Sequence, residues 1–158
     1  MASLEAVIVV SAIACAFVAG GLVRSRRRVS TGGGVKVGID IVEVSNVVEA
    51  LSSRKAERYL QFVYTDSERR DCETPNGIDP TRLAARFAAK EAVCKVLGPE
   101  ASKVPWRAVE VVRGAGGVPR VALDGLAATL ARDAGLKDFS ISLSHEPHYA
   151  TAVVVATR

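Results

Sequence analysis

The longest apolar stretch is Ala6–Val23, AVIVVSAIACAFVAGGLV, which carries no charge. Its length is about the minimum for a helix that crosses the hydrocarbon core of a bilayer. Past the glycine run at 32–34 the pattern changes to short β-branched runs alternating with helical periods. Val35–Val44 (VKVGIDIVEV) reads as a strand, with Val37, Ile39 and Ile41 on one face and Gly38, Asp40 and Val42 on the other. A helix is expected from about Ser45 to Phe62, capped by Ser45 or Asn46. Thr65-Asp-Ser-Glu68 has the spacing of a capping box and opens a further short helix; Asn76-Gly77 breaks the chain. The clearest helix starts at Asp79-Pro80-Thr81, where Asp79 caps and Pro80 suits the first turn. It runs through RLAARFAAKEAVCKVL to the stop signal Gly98-Pro99. Residues 108–113 and 118–123 form strands around Gly114-Ala-Gly-Gly117, a hairpin signal. Asp124 caps a helix ended by Gly135, and Phe139–Ser144 and Tyr149–Thr157 read as closing strands. Mixed strands and helices with a hairpin predict an α+β fold, an antiparallel sheet packed with helices, rather than a doubly wound sheet. An apolar N-terminal helix precedes it.

Charge alters this picture mainly at the N-terminus. The net charge is +4 and the sequence pI about 9.2, but residues 1–34 supply +3 of it through Arg24, Arg26, Arg27 and Arg28 against Glu5. The remainder is nearly neutral and interleaves no aromatic residues with basic runs, which argues against a nucleic-acid partner. The arginines follow the apolar segment instead of preceding it, unlike a secretory signal. They place the C-terminal side of a single span in the cytoplasm. An organelle-targeting leader and a start codon upstream of the true one are the rival readings. Ser30–Gly34 is a flexible linker, so the chain divides into a leader, 1–34, and a domain, 35–158. Cys15, Cys72 and Cys94 lack zinc-knuckle or paired spacing and read as free thiols.

Three loci carry candidate chemistry. On the Asp79 helix, Leu83, Phe87, Glu91 and Cys94 fall along one side, and an ionised carboxylate in that apolar company is costly unless a cation or donor compensates. Arg82, Arg86 and Lys90 form a second ridge at four-residue spacing, where like charges repel unless an anion faces them. A solvated basic face and a Glu91–Lys95 surface pair explain the same pattern. Asp40 sits between isoleucines in a strand, where aspartate is disfavoured. It is an edge-strand acid, an acid bonded to a local turn or, with Glu91, half of a site for a hard cation such as Mg²⁺. Ser142-Leu-Ser-His-Glu146 ends a strand, and its His145 reads as a base, a phosphate contact or a structural residue. No P-loop or dinucleotide-binding glycine motif is present.

Gly38-Ile-Asp-Ile-Val-Glu-Val44, Arg86-Phe-Ala-Ala-Lys-Glu-Ala92 with Lys95, and Ser142-Leu-Ser-His145 occur in the order seen in the holo-acyl-carrier-protein synthases. These are the short-form 4′-phosphopantetheinyl transferases, and the domain resembles them over about residues 35–158. Tyr64-Thr-Asp-Ser-Glu68 is similar to the family's Phe-Thr-x-x-Glu block, with Tyr64 in place of Phe, and Gly117-Val-Pro-Arg120 to its glycine-x-proline hairpin. The resemblance implies transfer of the 4′-phosphopantetheine arm of CoA to a serine of apo acyl carrier protein, releasing 3′,5′-ADP, in support of fatty acid biosynthesis. It implies Mg²⁺ on Asp40 and Glu91, and CoA phosphates held by Arg86, Lys90, Lys95 and His145. Glu91 and Lys95 are then catalytic, with the base left open between Glu91 and a water on the metal. A homotrimer with sites between subunits is implied as well, with Arg54, Lys55 and Arg58 in the region that docks the acidic carrier. A membrane-tethered adaptor without enzymatic activity, or another Mg²⁺-dependent phosphate enzyme, are the alternatives.

Overall fold

The computed structural model describes residues 34–158. The apolar N-terminal segment and its expected span lie outside the described residues. Among the described residues no helix is long and apolar enough to cross a membrane. Strand β1 (Val35–Glu43) opens the fold and runs into α1 (Val44–Ser52), α2 (Ala56–Val63) and α3 (Asp66–Cys72). The two-residue strands β2 (Glu73–Thr74) and β3 (Gly77–Ile78) follow, then the long helix α4 (Pro80–Leu97). Strands β4 (Val109–Arg113) and β5 (Pro119–Leu123) form the hairpin, and α5 (Gly125–Asp133), β6 (Asp138–His145) and β7 (Tyr149–Thr157) complete the chain. The main sheet is antiparallel with order β1-β7-β6, and β4-β5 and β2-β3 form separate two-stranded pieces. This is the α+β arrangement expected.

The expected caps form. Thr65 and Glu68 make both halves of the capping box at α3. Asp79 accepts from the amides of Thr81 and Arg82 at α4, whose end is turned at Gly98 with φ 101°. The single helix expected over 45–62 is broken instead. Ser53 Oγ donates to Ala50 O at 2.8 Å and accepts from the Lys55 amide at 3.2 Å, so local serine bonds replace the next helical turn. Nor does Ser45 or Asn46 cap α1. It begins at Val44, whose amide donates to His148 O at 2.9 Å. Thr74–Gly77 is not a plain break, because it closes the small β2-β3 hairpin with Thr74 Oγ1 donating to Gly77 O.

Helix α4 joins two core clusters. Ala88, Ala89, Ala92, Val93 and Val96 pack with Ala152, Val154 and Ala156 of β7 and with Val109 and Val111 of β4. Leu83, Ala84 and Ala85 pack with Val47, Tyr59, Leu60, Val63 and Tyr64. Alanines on both α4 and β7 allow close approach, and β1 comes closer still. A Cβ on Gly38 would lie 2.0 Å from the Ala92 carbonyl oxygen, an impossible contact, so only glycine fits there. The other face of β1 is open. Val35, Val37, Ile39 and Ile41 are 60–65% exposed, the reverse of what burial of a β-branched stripe in a lone domain requires.

Candidate active site

Glu91 lies in α4 and Asp40 in β1, brought together by the tight seam at Gly38 and Ala92. Glu91 is 3% exposed, and its Oε1 is buried with no hydrogen-bond partner. Burial, reinforced by the neighbouring Asp40 and opposed by Lys95, raises its carboxyl to about 7. Burial also raises the pKa of Asp40, against the pull of Lys95. Lys95 Nζ donates to Asp40 Oδ1 at 2.8 Å and to Ile39 O at 2.7 Å. The expected Glu91–Lys95 pair is therefore replaced by Asp40–Lys95, across the seam instead of along the helix.

These two carboxylates suit a hard divalent cation. One presents an orphaned buried oxygen, and the other holds a single lysine. No group of three or more His, Cys, Asp or Glu side chains that could hold a metal occurs among the described residues. That donor set matches Mg²⁺, which takes one or two carboxylates and completes its shell with water and substrate phosphate.

On the same helix, one turn and a half before Glu91, Arg86 borders a cavity of about 310 Å³. Its Nη2 donates to Asp71 Oδ2 at 3.3 Å, while its Nε is buried without a partner. Arg82, Arg113 and His145 also line this cavity, with Asp71 as its acid and Val111, Val112, Pro119 and Leu143 as apolar walls. His145 arrives at the end of β6, paired in register with Ala150. Four potential cations around one small cavity are costly without an anion to balance them, so the arrangement is suited to phosphate.

Lys90 departs from the expected ridge. It is completely buried, its Nζ 2.8 Å from Glu68 Oε2, and it donates to Trp106 O at 3.0 Å and to Val109 O. Its three hydrogens are thus committed within the core, and none is left for a phosphate. The ridge splits because α4 is enclosed from Ala88 to Cys94. Arg54, Lys55 and Arg58 lie together on the surface, the first two in the turn between α1 and α2 and the third in α2. Arg113 and Asp71 were not singled out by the sequence. Arg113 directly precedes the glycine-rich turn, a place where backbone and ligand can meet closely, and that was its only signal. Asp71 had none.

Comparison with known proteins follows the same outline. The family model described as the 4′-phosphopantetheinyl transferase superfamily matches residues 36–154. A holo-[acyl-carrier-protein] synthase of Gloeobacter violaceus is 39% identical over 119 residues, spanning 75% of this chain and 89% of the relative. One from an Anaeromyxobacter species is 43% identical over 122 residues, spanning 75% and 92%. Among solved structures, the synthase of Chronobacterium ammoniagenes in complex with CoA superposes with a TM-score of 0.65 at 29% identity, covering 79% of this chain and 97% of that one.

Proposed function

The chain belongs to the 4′-phosphopantetheinyl transferase superfamily, and from that premise we propose that it is a holo-[acyl-carrier-protein] synthase whose site is built on α4. It transfers the 4′-phosphopantetheine arm of CoA to a serine of apo acyl carrier protein and releases 3′,5′-ADP. The observation that carries this reading is the pair of orphaned buried polar atoms on one helix, Arg86 Nε and Glu91 Oε1. Among the described residues these are the two buried side-chain atoms without a partner, a donor for phosphate and a ligand for a cation, left to be completed by substrate.

In the transfer, the serine oxygen forms a bond to the β-phosphorus of CoA. The bond from that phosphorus to the bridging oxygen breaks, and the bridging oxygen leaves with 3′,5′-ADP. Arg86 and His145 orient the phosphates from the cavity, with Arg82 and Arg113 completing the positive wall. Lys95 sits over Asp40 and supplies positive charge where the pyrophosphate negative charge grows. Asp40 and Glu91 would hold Mg²⁺, which supplies Lewis-acid neutralisation of the pyrophosphate oxygens. The serine proton goes to Glu91, whose Oε1 makes no hydrogen bond within the fold.

Three finer features complete the proposal. The open stripe of Val35, Val37, Ile39 and Ile41 is an apolar face of the kind that marks a protein interface, and supports a homotrimer. The exposed Arg54, Lys55 and Arg58 offer positive charge to an acidic carrier. Residues 6–23 tether the domain to a membrane on its cytoplasmic side.

The test is direct. Purified protein is incubated with CoA, Mg²⁺ and apo acyl carrier protein, and the carrier is weighed by intact-mass spectrometry. A gain of one phosphopantetheine on its serine is expected; a folded protein that gives no gain overturns the reading.

A further inference from the structure

Lys90 and Glu68 form a fully buried ion pair that the transfer itself does not use. Its partners all lie at one junction, where α3 and α4 meet β4. Lys90 donates to the carbonyls of Trp106 and Val109. Glu68 accepts from the Val111 amide at 2.9 Å and from the Thr65 amide at 2.9 Å. Thr65 in turn donates through its hydroxyl to Glu110 Oε1 at 2.8 Å. Three successive residues of β4, Val109, Glu110 and Val111, are therefore bolted to the two helices through a carbonyl, a side chain and an amide.

The same three elements supply most of the lining of the cationic cavity. Helix α4 brings Arg86 one turn before Lys90. Helix α3 brings Asp71, one turn after Glu68, which holds the Arg86 guanidinium. Strand β4 continues from Val111 to Val112 and Arg113, both on the cavity wall. A buried ion pair is a weak source of net stability, since desolvation offsets its attraction. What it fixes well is geometry, because each charge needs all of its partners in place.

We propose that Lys90 and Glu68 are positioning residues for CoA, setting the separation between the α4 and β4 walls of its phosphate cavity without touching the substrate. The proposal rests on the synthase reading above. A structural role alone would lower the melting temperature and leave the kinetic constants of the folded fraction unchanged. A positioning role moves the CoA terms selectively.

The variants are the double substitution Lys90→Met with Glu68→Gln, which removes both charges at similar volume, and Glu110→Ala. The latter cuts only the outer link on a half-buried side chain and leaves the ion pair intact. Steady-state KM values for CoA and for apo carrier protein, kcat, and CoA binding by calorimetry are measured on the full chain alongside thermal melts. The double variant should raise the CoA KM and weaken CoA binding about tenfold, change the carrier KM less than twofold, and lower kcat no more than about threefold. Glu110→Ala should give a CoA KM about threefold above wild type with an unaltered melt. A CoA KM within twofold of wild type in the folded double variant overturns the proposal. If that variant does not fold, the same result in Glu110→Ala overturns it. An inactive wild-type protein would instead sink the synthase reading, so the two failures are separable.

Discussion

At the scale of single residues, the site is a set of side chains whose cost to the fold makes sense only with a ligand. Asp40→Ala and Glu91→Ala should each lower transfer on the order of 10²–10³-fold while circular dichroism stays that of wild type; near-normal activity in either variant would contradict the metal assignment. Glu91 also makes a pH-dependent prediction. Its carboxyl stands at about 7 in the folded chain against 4.5 ordinarily, so the metal-free fold favours the protonated form. The stability this contributes is fully present below pH 4.5 and is lost as pH rises through about 7. At about 1.4 kcal/mol per pKa unit the loss is on the order of 3–4 kcal/mol. Glu91→Gln cannot ionise, so without metal it should melt about 10 °C above wild type at pH 8 and close to it at pH 4.5. Mg²⁺ should raise the melting point of wild type and leave the variant unmoved. Equal differences at the two pH values would show that Glu91 titrates normally.

At the scale of elements, the controlling feature is the seam between β1 and α4. Lys36 Nζ donates to Val96 O at 3.1 Å at one end and Lys95 fastens Ile39 and Asp40 at the other, with Gly38 between them. Gly38→Ala drives a methyl group into the Ala92 carbonyl and must push the helix away beside Glu91. A loss of about 1–3 kcal/mol in urea unfolding is expected, together with weaker calorimetric Mg²⁺ binding; unchanged metal affinity would mean that the seam does not set the carboxylate spacing. Much of this level was legible in the sequence. The glycine-bounded strand, the Asp79-Pro80 start, the Gly98 stop and the capping box are local signals, and each forms where its chemistry indicated. What was hidden depends on distant partners. The break at Ser53 is a competition between side chain and backbone bonds that helix periodicity does not register. Lys90 looked like a member of an exposed basic ridge because its partner, Glu68, comes from the preceding helix, α3, and was read only as half of a cap. The open face of β1 was equally hidden, since alternation assigns residues to two faces without saying which one meets the core.

At the scale of the whole molecule, that open face predicts assembly. Sedimentation equilibrium should give three times the chain mass. Ile39→Lys with Ile41→Lys, placed on the exposed side of β1, should yield a folded monomer without transferase activity; a wild-type monomer of full specific activity would remove the trimer. The leader makes a separate prediction, that alkaline carbonate leaves the full chain in the membrane pellet, and release into the supernatant would show that residues 6–23 do not anchor it. Strand β1 binds these matters together through its period of two. Odd-numbered positions from 35 to 41 face the open side, while Gly38 and Asp40 face the helix. Substitutions can therefore damage one task and spare the other. A single inserted residue between Gly38 and Asp40 would do something else. With the pairing to β7 kept from Asp40 onward, the residues before the insertion exchange sides, and the glycine seam is replaced by a side chain that has no room beside Ala92. Natural variation along this strand should accordingly be rich in exchanges among valine, isoleucine and leucine at the odd positions and nearly devoid of changes in length.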